Sequence, residues 1–173
     1  MPQGREIIEG PGSSGPETRQ GRSMGPSGPA RYGGGGGGEN ITQQFALVVG
    51  VVYLVIGIAG FAVTGFTGIT TDGQDKLLGF DLNVFHNFVH LAIGAGFIAV
   101  SRLADASITQ GVVIGGGLVY VLAALLGFLN ELQILSIDTE FAADNFLHLF
   151  SGLAAVIFGL LGIRQSDAAA AHA

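Results

Sequence analysis

The residues of this sequence that could support chemistry are three histidines and an aspartate, near the starts of two apolar stretches. His86 and His90 are four residues apart, as are Asp144 and His148, so each pair would lie on one face of a helix. Imidazole and carboxylate groups bind zinc and iron in proteins. These four side chains could therefore hold one metal ion, although the H-E-x-x-H signature of zinc proteases is missing.

Asparagines in the same two stretches support a structural interpretation, which the sequence favours. Polar side chains inside a membrane usually face other helices and form hydrogen bonds with them. We therefore expect an Asn–His hydrogen bond between the two stretches that fixes the rotation of their helices. The residues of this predicted polar cluster are Asn83, Asn87, His90, Asn145 and His148. Asp81 or Asn83 is also expected to be the N-cap of the first helix, and Asp144 that of the second.

Two further roles for the histidines stay open. His90 and His148 could be the axial ligands of a haem, but haem propionates favour nearby cations, and only Lys76 is expected at that end. A proton or ion path is the other role, because ionisable groups inside a membrane mark functional sites by default. Apart from Arg102 near the end of the first of these two stretches, the halves farther from the histidines lack acidic and basic residues, so the sequence shows no continuous relay.

The composition of the whole chain predicts a membrane protein. Of its 173 residues, 49% are hydrophobic and 12% are charged, whereas soluble domains carry about 25% charged residues. The absence of cysteine excludes disulfides, thiolate chemistry and iron–sulfur clusters. The net charge of −6 does not provide the basic surface that nucleic-acid binding requires.

Apolar segments follow residue 40 at four places, namely 45–66, 84–103, 112–129 and 146–163. Each is close to the ~20 residues with which a helix crosses a ~30 Å hydrocarbon layer. Backbone groups in lipid must be paired within the segment, which favours helices over strands. We therefore predict an all-α membrane protein with four transmembrane helices, in a domain of residues 41–164.

The sequence on either side of this domain is predicted to form flexible tails. Residues 1–40 contain all five prolines and a tract of glycines at 33–38. Such a segment buries too little apolar surface to offset the entropy lost on ordering, and it has no apolar region of the kind found in secretory signals. Residues 165–173 are expected to form a short flexible C-terminal tail.

The basic residues predict the orientation of the chain. Of the seven lysines and arginines, only Lys76 lies in a loop between the first and second or the third and fourth segments. The others lie on the side of both termini, which the positive-inside rule places in the cytoplasm. The histidines are then expected in the outer leaflet of a bacterial plasma membrane.

An internal duplication relates the two halves of the domain. The stretch NFVHLAIG at 87–94 matches NFLHLFSG at 145–152 in the pattern N-F-[V/L]-H-L-x-x-G. The first and third segments align more weakly, through Gln43, Gly50, Val52, Tyr53, Gly60 and Phe61 with Gln110, Gly117, Val119, Tyr120, Gly127 and Phe128. We therefore predict two tandem two-helix repeats, related by an axis along the membrane normal.

One pair of positions departs from this duplication. The alignment matches His90 with His148, but it matches His86 with Asp144. The repeated Asn-x-x-His is thus the architectural element, and any specialised chemistry should be sought at His86 and Asp144.

These motifs resemble the actinobacterial membrane protein family known as domain of unknown function 4383. The resemblance covers roughly residues 41–163 and depends on NVFHNFVHLAIG in the second segment and DNFLHLFSG in the fourth. The family residues matched are His86, Asn87, His90, Asp144, Asn145 and His148. The resemblance implies a small four-span membrane protein and implies no activity.

The residues and the resemblance together predict a multi-pass protein with a structural or accessory function. No catalytic motif is recognised, so we do not expect an enzyme, and no cofactor is predicted. The alternative is a metal- or haem-binding redox component, or a small transporter, that uses the same histidines. The lipid bilayer is the expected partner; protein partners and self-association stay open.

Overall fold

The computed structural model of the protein describes residues 40–70, 75–137 and 139–172. Among these residues, four helices are long and apolar enough to cross a membrane: α1 (Ile41–Thr64), α2 (Val84–Leu103), α3 (Ala106–Phe128) and α4 (Ala143–Ala171). The prediction of four membrane-spanning helices in a mostly helical protein is therefore confirmed. The tail predicted for residues 1–40 lies outside the described residues, except for residue 40.

Three of the helices extend beyond the apolar segments that predicted them at one end or at both, while α2 has the predicted bounds. α1 begins at Ile41, α3 begins at Ala106, and α4 continues to Ala171, so residues 165–171 are helical where we predicted a tail. Polar residues at these ends remain helical because they bond to neighbouring helices. Gln110 Nε2, for example, donates to Ser166 Oγ at 3.0 Å.

A short antiparallel β-hairpin lies between α1 and α2, which the all-α prediction did not include. Its strands are β1 (Asp75–Leu77) and β2 (Phe80–Leu82). The two turn residues, Leu78 and Gly79, both have positive φ, at 56° and 92°, as a two-residue type I′ turn requires. β2 ends next to Asn83, and α2 begins immediately after it.

The helices form two hairpins, which we call hairpin A (α1 and α2) and hairpin B (α3 and α4). Within each hairpin the two backbones approach closely at glycines. A Cβ built on Gly94 would lie 2.8 Å from the carbonyl oxygen of Gly50, and one built on Gly152 would lie 2.7 Å from that of Gly117. Small residues at such crossings are typical of helix interfaces in membranes.

Hydrogen bonds join the two hairpins where α1 begins. Asn40 is the N-cap of α1, and its Oδ1 accepts from the backbone N–H of Thr42 at 2.9 Å. Its Nδ2 donates to the carbonyl oxygen of Gly162 at 3.0 Å and to Ser166 Oγ at 3.2 Å. The start of α1 therefore lies beside the last turns of α4. The opposite end of the bundle, where α2 and α4 begin, is called the histidine end below.

Candidate functional site

Asn83 fixes the start of α2 at the histidine end. Its Oδ1 accepts from the backbone N–H of His86 at 2.8 Å, which is the N-cap bond that the sequence predicted. Its Nδ2 donates to the carbonyl oxygen of Ile134 at 3.0 Å, in the loop between α3 and α4. Asn83 therefore orients the first turn of α2 and ties it to a loop of the other hairpin.

Asp144 is not the N-cap of α4, and this prediction is wrong. The helix begins two residues earlier than the prediction assumed, at Ala143, and Ala142 is the N-cap without a side-chain bond. Asp144 lies in the first turn, where a carboxylate interacts favourably with the positive end of the helix dipole. Its side chain is therefore available for contacts inside the bundle, where it is 6% exposed.

The two asparagines of the repeated motif are fully buried, each within its own hairpin. Asn87 Nδ2 donates to Thr64 Oγ1 at 2.8 Å, and its amide fills the space beside Gly60 on α1. Asn145 fills the corresponding space beside Gly127 on α3. A Cβ at either glycine would overlap the amide of the asparagine. Each asparagine therefore locks the two helices of one hairpin.

The predicted Asn–His hydrogen bond between the second and fourth helices does not form among the described residues. The Asn145 amide donates instead to the carbonyl oxygens of Thr139 and Glu140, both at 3.2 Å. The glycines on α1 and α3 explain the difference, because they leave room for the amides to turn into their own hairpins. The asparagines and the histidines of the predicted cluster therefore face different neighbours.

A row of aromatic rings crosses from hairpin A to hairpin B. The ring centroids of His90 and Tyr53 are 5.3 Å apart, those of Tyr53 and Tyr120 are 5.6 Å apart, and those of Tyr120 and His148 are 5.2 Å apart. All three contacts are edge-to-face, an arrangement that aromatic pairs prefer. The two tyrosines thus contact each other across the two hairpins, and each is flanked by a histidine of its own hairpin.

Three of the four predicted metal ligands come together at the histidine end. His86, Asp144 and His148 each contribute one ligand atom, and these atoms lie within 4.8 Å of one another. Their side chains are buried, at 1%, 6% and 5% exposure. His90 is not part of this group of three, although its ring centroid is 4.4 Å from that of His86.

A cavity of about 380 Å³ adjoins this group of residues between the hairpins. Its wall is apolar over most of its extent, from Phe45 and Phe97 to Leu82 beside the histidine end. The side chains with polar atoms that line it are Tyr53, His90, Tyr120, Asp144, His148 and Ser151. This combination of an apolar wall and a few convergent polar groups is common in sites for small ligands.

Sequence reasoning did not identify Thr64, Gly60 and Gly127 as parts of the site. Thr64 gave no signal, because a lone threonine near the end of an apolar segment is ordinary. The two glycines did give one, since they occupy matching positions in the alignment of the first and third segments. Together with the paired asparagines, they could have indicated contacts inside each hairpin.

The comparisons with known proteins identify a family and leave the activity open. A search of curated proteins and a search of solved structures each found no match. The family model described as "Domain of unknown function (DUF4383)" matches residues 43–161. That range contains most of the four helices and every member of the predicted polar cluster and metal group. The chain therefore belongs to the DUF4383 family.

Proposed function

We propose that this protein is a structural or accessory component of a bacterial plasma membrane, without enzymatic activity. Its fold consists of two tandem hairpins, and the polar residues at the histidine end hold them together. The row of rings formed by His90, Tyr53, Tyr120 and His148 carries this proposal, since it joins all four helices. These contacts place the polar atoms of the two histidines and the two tyrosines where the hairpins meet, away from lipid.

Matching contacts within the two hairpins support the tandem repeat. Gly50 lies against Gly94 as Gly117 lies against Gly152, and Asn87 fills the space at Gly60 as Asn145 does at Gly127. The Phe61–Phe88 contact in hairpin A is matched by Phe128–Phe146 in hairpin B, with centroids 4.9 and 5.2 Å apart. Each of these three pairs in hairpin A corresponds to its pair in hairpin B through the sequence alignment.

A double-mutant cycle on the two tyrosines tests the proposed joining of the hairpins. We expect Tyr53→Leu and Tyr120→Leu to be non-additive in the free energy of unfolding, by about 0.5–1.5 kcal/mol, because each removes the same ring contact. Val52 and Val119 are the matched control pair, since they are the adjacent residues and are 47% and 62% exposed. Their substitutions to alanine should add within about 0.5 kcal/mol. Additive tyrosine substitutions would contradict the proposal.

The proposed orientation places both chain ends in the cytoplasm and the histidine end at the outer face. The contact of Asn40 with Gly162 and Ser166 supports a common side for the start of α1 and the end of α4, and the basic residues favour the cytoplasm for that side. A reporter enzyme that is active only in the cytoplasm should therefore be active when it is fused after Ala173. If a reporter that requires export is active at the same position, the proposed orientation is contradicted.

A further inference from the structure

The cluster at the histidine end contains more polar groups than its hydrogen bonds satisfy. The Nδ1 atoms of His86, His90 and His148 are inaccessible to solvent, and none has a hydrogen-bond partner among the described residues. Buried polar atoms are nearly always paired, and leaving one unpaired costs about 1–3 kcal/mol. Three unpaired imidazole nitrogens in contacting rings therefore indicate that a partner outside the polypeptide completes their environment.

The charge of the cluster leads to the same conclusion. Within the described part of the chain, Asp144 forms no salt bridge. Lys76, the one lysine of the chain, is exposed and pairs with Asp81 at 2.8 Å. Burying a carboxylate without a counter-charge is costly, so a cation near Asp144 would stabilise the folded protein.

We infer that His86, Asp144 and His148 form a binding site for a divalent transition-metal ion. Two imidazoles and one carboxylate make up a ligand set that zinc and non-haem iron both use. Ligand atoms around tetrahedral zinc are about 3.3 Å apart, given Zn–N distances of about 2.0 Å. Small side-chain rotations from the observed spacing, which is within 4.8 Å, bring the three groups into that range.

The elements that carry these ligands are well placed to hold an ion. His86 is positioned on α2 by the Asn83 cap, while Asp144 and His148 lie one turn apart on α4. Asp144 and His148 also line the cavity, which leaves room for water or another ligand at a remaining coordination position. The ion would thus link hairpin A to hairpin B beside the row of rings, adding to the proposed structural function.

The ring contacts favour an ion over a haem. A haem bound by His90 and His148 would have to lie between these two side chains. Tyr53 and Tyr120 occupy part of that region, since their rings contact each other and each contacts one of the histidines. A single ion at His86, Asp144 and His148 requires no such displacement.

The inference is tested on the full-length protein, purified in mild detergent from cells grown with zinc and iron. We expect about one equivalent of metal by elemental analysis. After chelation, Co²⁺ should bind with visible absorption bands and be displaced by Zn²⁺. Asp144→Asn keeps the shape of the side chain but removes its charge, and it should weaken Co²⁺ binding at least about tenfold. His148→Gln should do the same.

Two control variants separate loss of the site from loss of charge or of histidine elsewhere. Asp81→Asn removes a partly exposed carboxylate, which pairs with Lys76, at the same end of the bundle, and His172→Ala removes an exposed histidine at the end of α4. Both should bind Co²⁺ like the unmodified protein. Circular dichroism and gel filtration establish that each variant is folded. A folded unmodified protein that binds neither ion, or equal binding by Asp144→Asn and Asp81→Asn, would overturn the inference without affecting the tyrosine cycle.

Discussion

Substituting Gly94 with valine is expected to destabilise hairpin A by about 2–3 kcal/mol, which is the upper part of the range that overpacking typically costs. A Cβ at this position would lie 2.6 Å from the backbone nitrogen of Leu54 and 2.8 Å from the carbonyl oxygen of Gly50. Both atoms belong to the α1 backbone, so no side-chain rotation can relieve the overlap. The helices would have to separate, which would also disturb the fit of Asn87 beside Gly60.

The matched control for this substitution is Gly96→Val in the same helix. A Cβ on Gly96 meets no atom within 4 Å, so the substitution has the same intrinsic effect on α2 without the overlap. We expect its unfolding free energy, measured by denaturant titration in detergent, to stay within about 0.5 kcal/mol of the unmodified protein. Equal losses for Gly94→Val and Gly96→Val would show that the backbones of α1 and α2 do not meet at Gly94.

The four spans could be predicted from the sequence, because long apolar runs with few charges have few alternatives in lipid. The ends of the helices could not be predicted as well. Thr109 and Gln110 interrupt the apolar pattern, yet both lie inside α3. Thr109 Oγ1 donates to the carbonyl oxygen of Val100 at 2.9 Å, a contact with another helix that local sequence does not reveal.

The position of Asn40 shows the same limit at the other end of the chain. It follows a Gly-rich tract, so the sequence analysis assigned it to the tail. In the structure it is buried, caps α1 and donates to α4. The capping box could have been predicted from the sequence, because Gln43 follows Asn40 at the required spacing. The bond to α4 depends on tertiary structure and gave no local signal.

The members of the candidate site could be proposed from the sequence, whereas the contacts that they make could not. The duplication identified His86 and Asp144 as the asymmetric pair, and the structure places both beside His148. The direction of the Asn87 and Asn145 amides was not predictable from their spacing, because it depends on the glycines that face them from α1 and α3. The row of rings depends likewise on how hairpin A faces hairpin B.

We expect efficient cross-linking of α2 to α4, because the first turns of these two helices face each other. The ring centroids of His86 and His148 are 6.2 Å apart across the two hairpins. The chain contains no cysteine, so the double substitution His86→Cys and His148→Cys introduces the only thiols. A short bifunctional thiol reagent should join these cysteines within one molecule in nearly all of the protein.

Phe88 and Phe146 supply a matched control pair on the same two helices. Their side chains are 52% and 43% exposed, and each packs against a phenylalanine of its own hairpin, Phe61 or Phe128. Cysteines at these two positions should react with the reagent singly, since they do not face each other. The pair therefore corrects for reactivity and for depth in the membrane.

The most direct test of the account is to quantify both cross-links by mass spectrometry of the digested protein, reacted in membranes. We expect a joined peptide pair for His86→Cys with His148→Cys, and little or none for Phe88→Cys with Phe146→Cys. Equal cross-linking of the two pairs, or cross-linking of the phenylalanine positions alone, would contradict the convergence of α2 and α4 on which the site depends.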